Sequence, residues 1–207
     1  MKYIKSFLIY ICLLFPLTGI AQLQTVRDQI KSGKELTKAE NTLRGLLVDS
    51  VSKKNNKIWL LLCDALTKQY EQGNEKLYLK QKYDTAAFFS VTRRLYDTMS
   101  RFDSLDAKPD AEGRVRAKYR TKHAEFLNSI RPNLFNGGSY FIHKKDYNTA
   151  FDYYSDYLES ANYPLFEGYD YMKNDALIPH AAYWAMFCGY KLSDADKIMR
   201  FKEQAER

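Results

Sequence analysis

The sequence predicts an all-α protein, and two observations carry that prediction. Apolar residues recur at spacings of three and four, as in Leu43, Leu46 and Leu47, in Trp59, Leu62 and Leu66, and in Phe88, Val91 and Leu95; Tyr119, Phe126 and Ile130 repeat the pattern more loosely. This is the period of a helix that buries one face. Runs alternating apolar with polar residues, the mark of a half-buried strand, are nearly absent, so no significant β structure is expected.

Local punctuation bounds each element. A helix over about 37–52 ends at Lys53-Lys54-Asn55-Asn56, and a second, about 57–72, is broken or bent by Gln72-Gly73-Asn74. A long helix is expected over about 76–105, interrupted near Lys82. Asp106-Ala107-Lys108-Pro109 then turns the chain, with Asp110 placed to cap a helix over about 110–130. Pro132 suits the first turn of a helix over 132–144, where a proline forfeits no intrahelical bond. Lys145-Asp146 leads into a helix over 147–161. Residues 162–179, with Pro164, Gly168 and Pro179, read as an aromatic loop with room for one short helix, followed by helices over about 180–191 and 194–206.

The N-terminus has the three parts of a secretory signal peptide: Lys2 and Lys5, an apolar run from Phe7 to Leu17, and the small-x-small exit of Gly19 and Ala21. The run is shorter than the roughly 20 residues a membrane span needs. Cleavage is expected after Ala21, giving a signal peptide over 1–21 and a mature chain over 22–207 that does not span a membrane. The periplasm is the expected location, with extracellular and cell-surface placement as alternatives. Cys12 lies in mid-run rather than at the cleavage point, which argues against a lipid anchor.

Removal of Lys2 and Lys5 lowers the formal net charge from +7 by two, and the remaining positive charges alternate with acids. That pattern reads as solvated helix faces, without the dense basic stripe that nucleic acid requires. Cys63 and Cys188 lie in apolar helical stretches, where a thiol acts as a small hydrophobe, so they are expected to be buried and unpaired. With His123, His143 and His180 scattered, no metal-ligand spacing emerges. No phosphate loop, nucleophile elbow, zinc-protease helix or dinucleotide fingerprint is present, and no cofactor or enzymatic activity is expected.

The chain contains an internal repeat. Lys82-Tyr83-Asp84-Thr85-Ala86-Ala87-Phe88-Phe89 is echoed by Asp146-Tyr147-Asn148-Thr149-Ala150-Phe151-Asp152-Tyr153, and more weakly by Leu192 to Phe201. In the best copy, 132–161, Leu134, Gly138 and Phe141 occupy the first helix, and Ala150 and Tyr154 the second. The copy over 180–206 is looser, with Ala182, Ala185, Met186 and Gly189 as a small-residue face and Ile198 in place of the alanine; that over 57–105 is degenerate. These residues resemble the tetratricopeptide repeat, a pair of antiparallel helices in a unit of about 34 residues. Ala86 and Ala150 are 64 positions apart, and Ala150 and Ile198 are 48 apart, so the resemblance requires insertions around 72–82 and at 162–179. It implies helical hairpins stacked as a right-handed superhelical array. Such arrays usually finish with an extra covering helix. Arg207 falls just after the last apolar stripe, so the sequence reads as the N-terminal part of a longer protein.

Tyr183, Phe187 and Tyr190 stand at i, i+4 and i+7 and so share one helix face. Phe135, Ser139 and Ile142, with His143 beside them, occupy the equivalent face of the best-matched repeat. By resemblance, that face lines the concave side of the superhelix, where many tetratricopeptide proteins hold peptides. The same rings could instead fill space between helices, and Phe187 is expected in that packing role. The leading expectation is therefore an exported scaffold or adaptor that binds a protein or peptide partner through an aromatic groove. A carbohydrate-binding helical-repeat protein and the accessory region of a longer exported enzyme are the alternatives.

Overall fold

Four chain reversals share one device, a residue in the left-handed region just after a helix: Gly33 (φ 70°), Lys80 (φ 54°), Lys145 (φ 59°) and Ser193 (φ 54°). In the computed structural model, which describes residues 21–206, the regular elements are all helical. They are α1 (21–32 within the described residues), α2 (Leu36–Leu46), α3 (Asn56–Tyr78), α4 (Thr85–Asp106), α5 (Arg120–Ile130), α6 (Pro132–His143), α7 (Tyr147–Ser160), α8 (Tyr171–Asn174), α9 (Ile178–Lys191), α10 (Ala195–Met199) and α11 (Lys202–Ala205). Single turns of 3-10 helix lie at Ser52–Lys54 and Pro164–Phe166. Of the signal segment expected over 1–21, residues 1–20 lie outside the described residues, and Ala21 is in α1.

Three of the reversals are Schellman turns, in which the left-handed residue and its successor satisfy carbonyls left over at the helix end. Lys80, Lys145 and Ser193 donate their N–H groups to Leu77, Ile142 and Tyr190, at 3.0, 2.8 and 3.1 Å. Gln81, Asp146 and Asp194 donate to Lys76, Phe141 and Gly189, at 2.8, 3.0 and 3.0 Å. In the last two turns the aspartate also starts the next helix. Asp146 accepts from the Thr149 N–H at 3.1 Å, and Asp194 from the Lys197 N–H at 3.0 Å. One residue thus closes one helix and caps the next, which is why the α6–α7 and α9–α10 connections are so short.

Contacts divide the chain at Gln72/Gly73. In the first unit, Leu36, Ala39 and Leu43 form the buried stripe of α2, and Ile58, Leu62, Ala65 and Leu66 that of α3. Gln69 ties the two helices together by donating to Glu40 at 2.9 Å and to the Leu36 carbonyl at 3.4 Å, while Gln72 reaches the Gly33 carbonyl at 2.8 Å. Glu40 is 4% exposed and keeps its charge compensated by Arg44, at 2.9 Å.

In the second unit, α4 packs against α5, α6 and α7; α7 lies against both α6 and α9, and α9 also packs on α10 and α11. Two glycines set the α6–α7 approach. A Cβ on Gly137 would come within 2.6 Å of the Tyr153 ring, and one on Gly138 within 2.6 Å of the Tyr154 ring. Gly189 plays the same part between α9 and α10, where a Cβ would meet the Ile198 backbone nitrogen at 2.7 Å.

The helices over 132–144 and 147–161 are found nearly where expected, but several boundaries differ. α3 runs through Gly73 to Tyr78, because Gly73 lies beneath the Tyr83 ring and the helix ends instead at left-handed Lys80. The helix expected from Asp110 begins only at Arg120. Asp110 closes a turn, accepting from the N–H groups of Glu112 and Arg114 at 2.9 Å each, with Gly113 at φ 77°. The last expected helix is split at Arg200 and Phe201: Phe201 turns inward to the Phe151 ring, 6.2 Å away, while Arg200 pairs with Glu159.

Candidate functional site

α9 presents two sides of opposite character. Ala181, Ala182, Ala185 and Cys188 are fully buried. On the other side Tyr183 is 59% and Tyr190 69% exposed. Small buried residues let α9 lie close to its neighbours, which fixes the positions of the two tyrosines. Phe187 is half-buried, its ring edge-on to Tyr147 at 6.1 Å and to Trp184 at 5.5 Å. Trp184, which is not among the residues expected at this face, also packs edge-on against Tyr183 at 5.3 Å.

The equivalent residues of α6 are engaged differently. Phe135 is half-buried with its ring edge-on to Tyr154 and Tyr157, at 5.4 and 5.8 Å. Ser139 shares a hydrogen bond of 3.0 Å with the Tyr154 hydroxyl. Both therefore contact α7 while remaining half-buried. Ile142 is half-buried and His143 exposed. Burial pushes the Tyr154 hydroxyl up to about 12, partly offset by its bond to Ser139, so it stays neutral at physiological pH.

A second feature lies where α5 meets α6. Arg131 is both the last cap of α5 and the first of α6, and its side chain is only 5% exposed. Its guanidinium carbon lies 3.7 Å from the Tyr157 ring centre and 4.1 Å from that of Tyr171. One terminal nitrogen pairs with Asp175 and the other donates to the Tyr157 carbonyl at 3.0 Å, whereas Nε finds no acceptor. Asp175 also accepts from the Tyr157 hydroxyl at 2.7 Å and from the Leu177 N–H at 2.9 Å. Burial opposes ionisation of Asp175, but the bonds from Tyr157, Leu177 and Arg131 outweigh it and hold the carboxyl below the ordinary range. Tyr171 donates to Asn128 Oδ1 at 2.6 Å, and its ring lies 5.4 Å from that of Tyr169. Beside this stack opens a cleft of about 380 Å³, lined also by Pro132, Asn174 and Leu177.

No sequence motif announces this cluster, although one signal is present. Arg131 stands four residues after Leu127 and three before Leu134, both fully buried, so the helical period puts a charge on a buried stripe. A buried charge demands a partner.

Cys63 and Cys188 are buried and unpaired, and burial raises both thiols, Cys188 to about 12. His123 is buried beside the rings of Phe102 and Tyr119. Among the described residues no cluster of three His, Cys, Asp or Glu side chains could hold a metal, and no helix is long and apolar enough to cross a membrane. No protein-family model, no curated protein and no solved structure matches the chain.

Proposed function

We propose that the chain is an exported, tetratricopeptide-like scaffold that binds a protein or peptide partner through the outward side of α9. The observation that carries this reading is the exposure of Tyr183 and Tyr190 on a helix whose opposite side is completely buried. Tyrosine suits recognition because it offers a large rigid contact area and one hydroxyl with little rotamer freedom to lose. The repeat reading is supported by the two hairpins, α6–α7 and α9–α10, that share a Schellman turn followed by an aspartate cap. Export is supported by the charged start, apolar run and small-residue exit over residues 1–21. The exported protein is expected to begin at Gln22 when its N-terminus is determined by mass spectrometry.

The test is capture of a partner by the wild-type chain, its identification, and repetition with Tyr183→Ala and Tyr190→Ala. Each substitution is expected to weaken the identified complex on the order of tenfold, as for aromatic residues central to an interface. Far-UV circular dichroism should be unchanged. Lost helicity would make the residue part of the packing, and unchanged affinity in both variants would refute this face as the binding surface.

A further inference from the structure

We infer that the cleft beside Arg131 is a subsite for a neutral saccharide, with Tyr169 as its stacking platform. Charge comes first. The two charged groups at the cleft, Arg131 and Asp175, offset each other's charge, and Asp175 takes further bonds from Tyr157 and Leu177, so that only the Arg131 Nε–H is left without an acceptor. A phosphate, a carboxylate or a basic side chain would lose its hydration at a site that has no uncompensated charge to receive it. The site therefore favours a neutral ligand, which leaves the pair intact.

The remaining lining combines ring surface with amides. Tyr157, Arg131, Tyr171 and Tyr169 follow one another as layers, and half-buried Tyr169, whose ring also meets that of Phe166 edge-on at 5.6 Å, is the layer nearest the opening. Asn128 uses Oδ1 to hold the Tyr171 hydroxyl, leaving its Nδ2, and Asn174 uses Nδ2 to reach the Tyr169 carbonyl at 3.3 Å, leaving its Oδ1. A pyranose fits this combination. Its C–H face suits the electron-rich face of a tyrosine, and each hydroxyl is donor and acceptor at one atom, matching an unused amide N–H on one side and an unused carbonyl on the other. The buried pair and the Tyr171–Asn128 bond fix the layers beneath Tyr169 before any ligand arrives, which limits the entropy lost on binding. The volume, about 380 Å³, lies within the usual range of small-molecule sites.

The test uses the full chain and a panel of neutral hexasaccharides of glucose, mannose, galactose and xylose, with oligogalacturonate and a proline-rich peptide as competitors for the assignment. Binding is read by saturation-transfer NMR and titration calorimetry. At least one neutral hexasaccharide is expected to bind. Tyr169→Ala should weaken it about tenfold and Tyr169→Phe by no more than about twofold, since the ring is the platform. Asn174→Ala should weaken it about three- to tenfold through one lost hydrogen bond. Tyr183→Ala and Tyr190→Ala should leave sugar binding unchanged, which separates this site from the protein-binding face of α9. Failure of every neutral sugar to bind the wild-type chain would overturn the inference. So would Tyr169-dependent binding of only the acidic sugar or the peptide, or full affinity in folded Tyr169→Ala. Should Tyr169→Ala unfold, the comparison of Tyr169→Phe with Asn174→Ala decides: equal, unweakened binding by both rejects the site.

Discussion

Replacing Arg131 with leucine is expected to lower the unfolding free energy by about 3–5 kcal/mol, measured from urea unfolding curves. The side chain is almost fully enclosed and ion-paired with Asp175, which is itself only 13% exposed. Removing the cation leaves that carboxylate without its counter-charge, and the two flanking tyrosines without the group between which they are organised. Asp175→Asn is expected to cost a similar amount, because it leaves the buried Arg131 cation without its counter-charge, and its single amide oxygen can keep only one of the bonds that Tyr157 and Leu177 donate to different carboxylate oxygens. The double replacement, Arg131→Leu with Asp175→Asn, should fall short of the sum of the single effects, since no unpaired charge then remains. A loss below about 1 kcal/mol for Arg131→Leu would show that the pair is solvated.

The same pair carries a pH dependence of definite sign. The folded-state carboxyl of Asp175 sits below its ordinary value. Its contribution is therefore fully present above the unfolded value, about 4, and is lost as pH falls toward the folded value. The stability gap between the wild-type chain and Asp175→Asn should hold from neutral pH down to about 5 and narrow below about 4. A gap that widened on acidification would contradict the assignment.

How far these features could be read from the sequence depends on the range over which each is determined. Pro132, Gly138 and Asp146 act within one or two helical turns, and the helices around them are found within a residue or two of their expected ends. Asp110 shows where local reading misleads. A carboxylate that accepts nearby N–H groups can cap a helix or close a turn, and both begin with the same residue. Gly113 distinguishes them, because aspartate first and glycine fourth is the pattern of a type I turn, and the Gly113 N–H does bond the Asp110 carbonyl at 3.0 Å. Arg131 is detectable as a charge on a buried stripe, but Asp175 lies 44 residues away. Only the tertiary fold brings them together. Tyr183 and Tyr190 share a face by period alone, whereas the different fate of Phe135 and Ser139 follows from the Tyr154 ring seated on Gly138.

The glycines offer the second large effect, because the same substitution should change sign with its surroundings. Alanine is favoured over glycine in a helix by about 1 kcal/mol, through backbone entropy. Gly45 lies in α2, and a Cβ added there would meet nothing within 4 Å, so Gly45→Ala should raise stability by about 0.5–1 kcal/mol. Gly138 lies in α6, where the added Cβ would stand 2.6 Å from the Tyr154 ring. That ring is fully buried, tied through its hydroxyl to Ser139 and wedged against Phe135, so it has nowhere to move. Overpacking of this kind costs about 1–3 kcal/mol, which outweighs the entropy gain. Gly189 is more constrained still, since the obstructing atoms are the backbone of Lys197 and Ile198 and relief requires α9 and α10 to part. Gly138→Ala and Gly189→Ala should thus lower the urea midpoint while Gly45→Ala raises it. In Gly189→Ala the separation of α9 from α10 would register as faster amide exchange at Ile198, whose N–H bonds the Asp194 carbonyl at 3.1 Å. Stabilisation by either Gly138→Ala or Gly189→Ala would mean that the helices do not approach as closely as the two hairpins require.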